Sequence, residues 1–233
     1  MNPVPRHPLV LIMTLSLAAS AGACNSQPDI GPRSDSQVPG TSNPEVNHAD
    51  LPIILAFGDS LTFGSGVDRE LSYPSQLQDE LNRLGYAYRV VNSGVSGDTT
   101  SGGVARLNMA LELQPEIVIL ELGGNDGLRG IPVEVARDNL RTMIAAFNEI
   151  GSRVILAGMT LPLNYGPDYI RDFEAIYVEL AEDFDVVRIP FFLEGLVEEY
   201  ERYMQSDGIH PTGEGYTIVV ATVVNTIEPY LTN

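Results

Sequence analysis

Residues 53–57 read Ile-Ile-Leu-Ala-Phe without a polar interruption and then meet Gly58. A run this short and apolar at every position predicts a strand covered on both faces of its sheet. Four comparable runs follow, at Arg89–Asn92, Ile117–Leu122, Val154–Ala157 and Val186–Ile189. Between them the apolar spacing changes to the helical period. Leu77, Leu81 and Leu84 follow Pro74 and stop at Gly85, and Val135, Leu140, Ile144 and Phe147 mark a second helix. A third is expected from Tyr169 to Phe184 and a last from Gly213 to Tyr230.

Five buried strands alternating with helices predict an α/β fold: a flavodoxin-like, three-layer α/β/α sandwich around a five-stranded parallel sheet. Such sheets bind ligands beyond the carboxyl ends of their strands, where the strand order reverses. In the order 2-1-3-4-5 the first three strands are neighbours. The polar, glycine-rich segments that follow them then share one edge: Gly58-Asp59-Ser60, Ser93-Gly94-Val95-Ser96-Gly97-Asp98 and Gly123-Gly124-Asn125-Asp126.

The first 51 residues have a different character. Residues 1–24 read as an export signal, with Arg6 in a weakly positive start, an apolar stretch from Leu9 to Ala19, and small residues Ser20-Ala21-Gly22-Ala23 leading to Cys24. The apolar stretch is short for a membrane span. Small residues ending in cysteine resemble the lipobox of bacterial lipoproteins, although Ala21 stands where leucine is usual. That resemblance implies acylation of Cys24, a membrane tether through it, and a periplasmic or outer-membrane-anchored protein; the alternative is plain secretion. Residues 25–51, rich in Ser, Pro, Gly, Asn and Asp, read as a flexible linker, which leaves 52–233 as one domain.

Composition removes several chemistries. All 13 basic residues are arginines, so a P-loop, a pyridoxal Schiff base and a Ser-Lys dyad lack their lysine. The single cysteine, Cys24, precedes the domain, which excludes a thiolate nucleophile, a Cys-based zinc site and an intramolecular disulfide. A net charge of −18 without a basic cluster opposes nucleic-acid binding and disfavours highly anionic substrates such as coenzyme A thioesters.

Of three histidines, His7 and His48 lie in the N-terminal segment, so His210 is the domain's one imidazole. Asp207 stands three residues before it in Asp-Gly-Ile-His-Pro. From there a carboxylate can reach Nδ1, fix the tautomer and leave Nε2 to take a proton. Ser60 is the candidate nucleophile. Ser, Asp, His is a chain order from which a serine hydrolase can be built, though the Gly-x-Ser-x-Gly elbow is absent. Gly97 can offer an unobstructed N–H and Asn125 a side-chain amide to an oxyanion, at about 3 kcal/mol each. Simpler roles stay open for each residue: Ser60 as a helix cap, Gly97 and Asn125 as turn residues, His210 in a surface loop or on a metal. No second domain histidine completes a usual zinc set, so no metal is expected.

Gly-Asp-Ser-Leu, Gly97, Gly-Gly-Asn-Asp and Asp-Gly-Ile-His-Pro, in that order, resemble the four blocks of the SGNH (GDSL) hydrolase family over residues 52–231. Glu121–Gly130 and Leu161–Gly166 are similar to the substrate loops of its bacterial thioesterase/protease/lysophospholipase and arylesterase branch. The resemblance implies Ser60 as nucleophile, His210 as base and Asp207 as its orienter. It also implies oxyanion donors at the Ser60 N–H, the Gly97 N–H and the Asn125 amide, and no cofactor. Asp59 and Asp126 are expected to organise loops. Thr160 departs from relatives that carry arginine there, which bears on the substrate pocket. The expected activity is hydrolysis of short- to medium-chain acyl or aryl esters, a small-molecule substrate class. Lysophospholipase or thioesterase action, carbohydrate deacetylation, and an inactive fold serving as a binding module are the alternatives. Nothing in the sequence sets the oligomeric state.

Overall fold

The computed structural model describes residues 50–232. The signal, Cys24 and the linker as far as Ala49 lie outside the described residues. Five strands form one sheet: β1 (Ile53–Gly58), β2 (Arg89–Gly94), β3 (Ile117–Glu121), β4 (Arg153–Ala157) and β5 (Val187–Ile189). Every pairing is parallel and the order is β2-β1-β3-β4-β5, as the pattern predicts. All residues of β1 and β3 are buried, and β4 is buried from Val154 on. These central strands are the ones whose sequences show no alternation.

Nine α-helices accompany the sheet among the described residues: α1 (Ser60–Phe63), α2 (Tyr73–Leu84), α3 (Thr100–Ala105), α4 (Leu107–Leu111), α5 (Gly124–Leu128), α6 (Val133–Glu149), α7 (Pro167–Phe184), α8 (Tyr200–Tyr203) and α9 (Gly213–Ile227). Helices α2 and α9 pack together, and α6 lies between α3 and α7. This is the two-layer covering that right-handed crossovers impose when the strand order reverses. Each long helix has a readable cause. In α2, Pro74 sits in the first turn, Leu77 and Leu81 bury one stripe, and Gly85 at φ +87° ends it. Leu84 is partly exposed and closes the helix at its rim.

In α6 the core face is Ala136, Leu140, Met143, Ile144 and Phe147, while Val135 points outward. Val135 is a hydrophobe one position off the stripe, and the small Ala136 is what fits against the sheet. Helix α9 buries Val219, Val220, Val223, Val224 and Ile227, then tightens into a 3-10 turn over Glu228–Tyr230. Phe57 of β1 meets Phe147 of α6 edge to face at 5.7 Å, tying sheet to helix in the core.

The outer side of β2 is not left open. The Gln78 side chain accepts from the Val90 N–H (2.7 Å) and donates to the Tyr88 carbonyl (2.9 Å), and Asn92 Oδ1 accepts from the Gly94 N–H (2.9 Å). At the other side β5 is three residues long and gives way to Pro190.

Candidate active site

At the carboxyl edge of the sheet Gly58 stands level with Gly94 on one side and Glu121 on the other. The loops that leave these three positions carry Ser60, Gly97 and Asn125. The chain turns at once from β1 into α1. Asp59 is the N-cap, its Oδ1 accepting from the Leu61 N–H at 3.0 Å. Ser60 is the first residue of that helix, so its N–H belongs to the group a helix leaves without an internal acceptor.

The second loop needs a left-handed residue and has Gly97 at φ +79°. Its carbonyl accepts from Arg129 at 2.8 Å, which joins it to the segment after α5. The third loop enters α5 through Gly123 at φ +115°, where a side chain would collide with the Tyr177 hydroxyl. Asn125 Nδ2 donates to Asp59 Oδ2 at 2.9 Å, so the Ser60 loop orients this amide directly. Asp126 is buried and accepts from the Thr100 N–H (2.8 Å) and hydroxyl (2.6 Å), pinning α5 to the start of α3.

From the far end of the chain, α8 and the turn after it deliver the imidazole. His210 Nε2 lies 2.9 Å from Ser60 Oγ, and His210 Nδ1 lies 2.6 Å from Asp207 Oδ2. Asp207 Oδ1 accepts from the N–H groups of Ile209 (2.9 Å) and His210 (3.1 Å). Partial burial alone would raise the Asp207 carboxyl, but the imidazole and these two N–H donors outweigh it and hold its pKa at about 2. An ionised Asp207 only accepts, so Nδ1 carries the hydrogen of the neutral ring. Nε2 is therefore the lone-pair nitrogen, and the Ser60 hydroxyl donates to it.

The structure thus brings Ser60, Asp207 and His210 into one hydrogen-bonded line. It sets Asn125 against Asp59, beside the serine, and Gly97 on the adjoining loop. Three supports escaped the sequence reading. Arg106, nearly buried and 3.9 Å over the Phe57 ring, donates to Asp98 (2.7 Å), the Ser93 carbonyl (2.8 Å) and the Gly58 carbonyl (2.8 Å). It clamps the loops of Ser60 and Gly97 to each other. Gln205 Nε2 donates to the carbonyls of Ser65 and Pro211, both at 2.8 Å, fixing the histidine turn against the loop that follows the serine helix. Glu121 lies directly below, fully buried. No spacing rule marks a lone arginine, glutamine or glutamate as a brace; only the fold brings their partners near.

A cavity of about 350 Å³ opens beside the serine. Its wall includes Leu61, Gly124 and Ile209, immediate neighbours of Ser60, Asn125 and His210. Leu128, Met159, Leu161, Phe191, Leu193, Leu196 and Met204 make the rest predominantly apolar. Val197 and Tyr200 stand exposed on its lining, and Thr160 is part of it, held by Glu174. Among the described residues no three of His, Cys, Asp or Glu gather where they could share a metal ion.

Residues 56–218 match the family model described as the GDSL-like lipase/acylhydrolase family. The chain is 42% identical over 187 residues to esterase TesA of Pseudomonas aeruginosa, covering 80% of this chain and 92% of that protein. It is 40% identical over 179 residues to an arylesterase of Vibrio mimicus, covering 76% and 89% respectively. A crystal structure of TesA is similar with a TM-score of 0.73 at 42% identity, over 76% of this chain and 98% of that one.

Proposed function

The chain belongs to the GDSL-like lipase/acylhydrolase family, and from that premise we propose how its residues carry out ester hydrolysis. It is a carboxylic ester hydrolase of the serine esterase type. The observation that carries the mechanism is the unbroken Asp207–His210–Ser60 hydrogen-bonded line.

In this reading Ser60 Oγ attacks the acyl carbonyl as His210 Nε2 takes its proton. Asp207 holds the ring and stabilises the imidazolium that forms. The tetrahedral oxyanion is met by the Ser60 N–H, the Gly97 N–H and the second N–H of the Asn125 amide, whose first is committed to Asp59. His210 returns the proton to the leaving oxygen, and water then repeats the sequence on the acyl-enzyme. No step draws on a cofactor.

The apolar cavity supports short- to medium-chain acyl or aryl esters as the substrate class. Its Met159, Leu193 and Leu196 would gain nothing from a small polar acyl group such as a carbohydrate acetate. The same cavity makes a single acyl chain, as in a lysophospholipid, the second reading.

Hydrolysis of p-nitrophenyl esters from acetate to laurate, by the wild type and Ser60→Ala side by side, tests the scheme. Turnover confined to the wild type is expected, with the far-ultraviolet spectrum unchanged in the variant. Equal turnover in both would remove Ser60 from the nucleophile role.

We further propose that residues 1–24 direct export and that acylated Cys24 tethers the domain beyond residue 52 to a membrane. Labelled palmitate should enter the wild type in a bacterial host and be lost in Cys24→Ala; equal incorporation in both would refute the tether.

A further inference from the structure

Glu121, the last residue of β3, has no part in the acyl-transfer scheme, yet it lies beneath the serine turn with no exposure to solvent. Its Oε2 accepts from the Thr62 hydroxyl at 2.7 Å and from the Asp59 N–H at 3.3 Å. Its Oε1 is fully buried and meets no hydrogen-bond partner. Gly58 leaves the room it needs, since a side chain there would run into Glu121 Oε2 and the Thr62 hydroxyl. One carboxyl thus grips the serine turn at Asp59, just before Ser60, and at Thr62, two residues after it. Asp59, gripped through its backbone, uses its side chain to hold Leu61 N and Asn125 Nδ2.

We propose that Glu121 is a positioning residue of the oxyanion site: it fixes the Asp59–Thr62 turn and, through Asp59, the aim of the Asn125 amide. The proposal rests on the reading of Ser60 and Asn125 given above. What the role requires is an acceptor at Oε2, not a charge. Two donors already converge on Oε2, so a hydrogen belongs on Oε1, the oxygen without a partner. Burial, and next the neighbouring Asp59, both hold the Glu121 carboxyl well above the usual carboxylate range, in keeping with a neutral group. A misplacement of an oxyanion donor by an ångström is worth on the order of 10²-fold in rate, so an inner brace of this kind is felt in kcat.

The test uses Glu121→Leu, which removes the acceptor, and Glu121→Gln, which supplies a neutral one at the same reach. Both are compared with the wild type on p-nitrophenyl butyrate, with thermal melting alongside. The leucine variant should lose roughly 10- to 100-fold in kcat with KM within about threefold, and glutamine should recover most of that loss. In an Asn125→Ala background the leucine change should cost at least about fivefold less, because the amide it aims is already gone. If the leucine variant does not fold, Thr62→Val, which withdraws one of the two donors, takes its place in the same cycle with a loss of several-fold. A folded leucine variant with wild-type kcat, full additivity with Asn125→Ala, or a glutamine variant as damaged as leucine would each overturn the proposal. An inactive wild type, or an active Ser60→Ala, would instead refute the esterase scheme on which it rests.

Discussion

Replacing Asp207 by asparagine keeps the shape of the side chain and the oxygen that accepts from the Ile209 and His210 N–H groups. It turns the other oxygen, 2.6 Å from His210 Nδ1, into an N–H donor. Two consequences of different size follow. The stability term is bounded by the drop of the Asp207 pKa from 3.8 to about 2, at most about 2.5 kcal/mol. The Asp207 side chain is 45% exposed, so solvent screening leaves about 1 kcal/mol of that. The catalytic term is larger. Facing a donor, Nδ1 must give up its hydrogen, which moves to Nε2 and confronts the Ser60 hydroxyl with a second donor. The serine then has no base, and a loss on the order of 10³- to 10⁴-fold in kcat is expected. Initial rates with p-nitrophenyl butyrate, measured beside urea unfolding of the same preparation, separate the two terms. An Asp207→Asn enzyme that keeps more than a tenth of wild-type kcat would refute the tautomer argument. One that loses activity only in proportion to its stability would reduce Asp207 to a structural residue.

Burial raises the Asp59 carboxyl to about 6 against 3.8 for a free side chain, with hydrogen bonds from Leu61 and Asn125 only partly offsetting it. Between these values the folded chain holds a proton that the unfolded chain has released, so this group's contribution to stability rises as pH falls from 7 towards 4. Urea unfolding of the wild type and Asp59→Asn at pH 7.5 and 4.5 should show the wild type gaining on the variant by about 2 kcal/mol at the lower pH; a constant difference would contradict it. Val197→Trp puts an indole onto the exposed lining of the apolar cavity. Displacing about two buried methylenes should lower kcat/KM on laurate about tenfold, and on acetate less than threefold. An unchanged chain-length profile would mean the acyl chain lies elsewhere.

The strands and long helices were legible because each is fixed by its own burial pattern. A strand covered on both faces, such as β1, can only read as an apolar run. The short helices had no such signal. Helices α3 and α5 contain Thr-Ser-Gly-Gly and Gly-Asn-Asp-Gly, sequences of low helix propensity. They exist because Asp126 and Thr100 bind each other across the site. Val135 misled in the other direction, since a helical stripe tolerates a hydrophobe beside it. In the candidate site, Ser60, Asp207 and His210, which the fold brings together, could be singled out because the chemistry proposed for them demands those residue types. Arg106, Gln205 and Glu121 could not: their work is to hold other residues, and many residue types can do that in a sequence. Glu121 in particular looks like a polar slip in an apolar run until Thr62 and Asp59 are seen to converge on it.

The capped outer side of β2 has a consequence for the protein at high concentration. A flat strand edge with free N–H and C=O groups is an invitation for another chain to add itself. Gln78 and Asn92 occupy the Val90 and Gly94 donors and the Tyr88 acceptor before any neighbour arrives. The opposite edge is too short to template more than a fragment. Three backbone groups along one edge are thus already taken and the other edge is short, so edge-to-edge addition of a second copy is disfavoured on both sides even when many copies are crowded together.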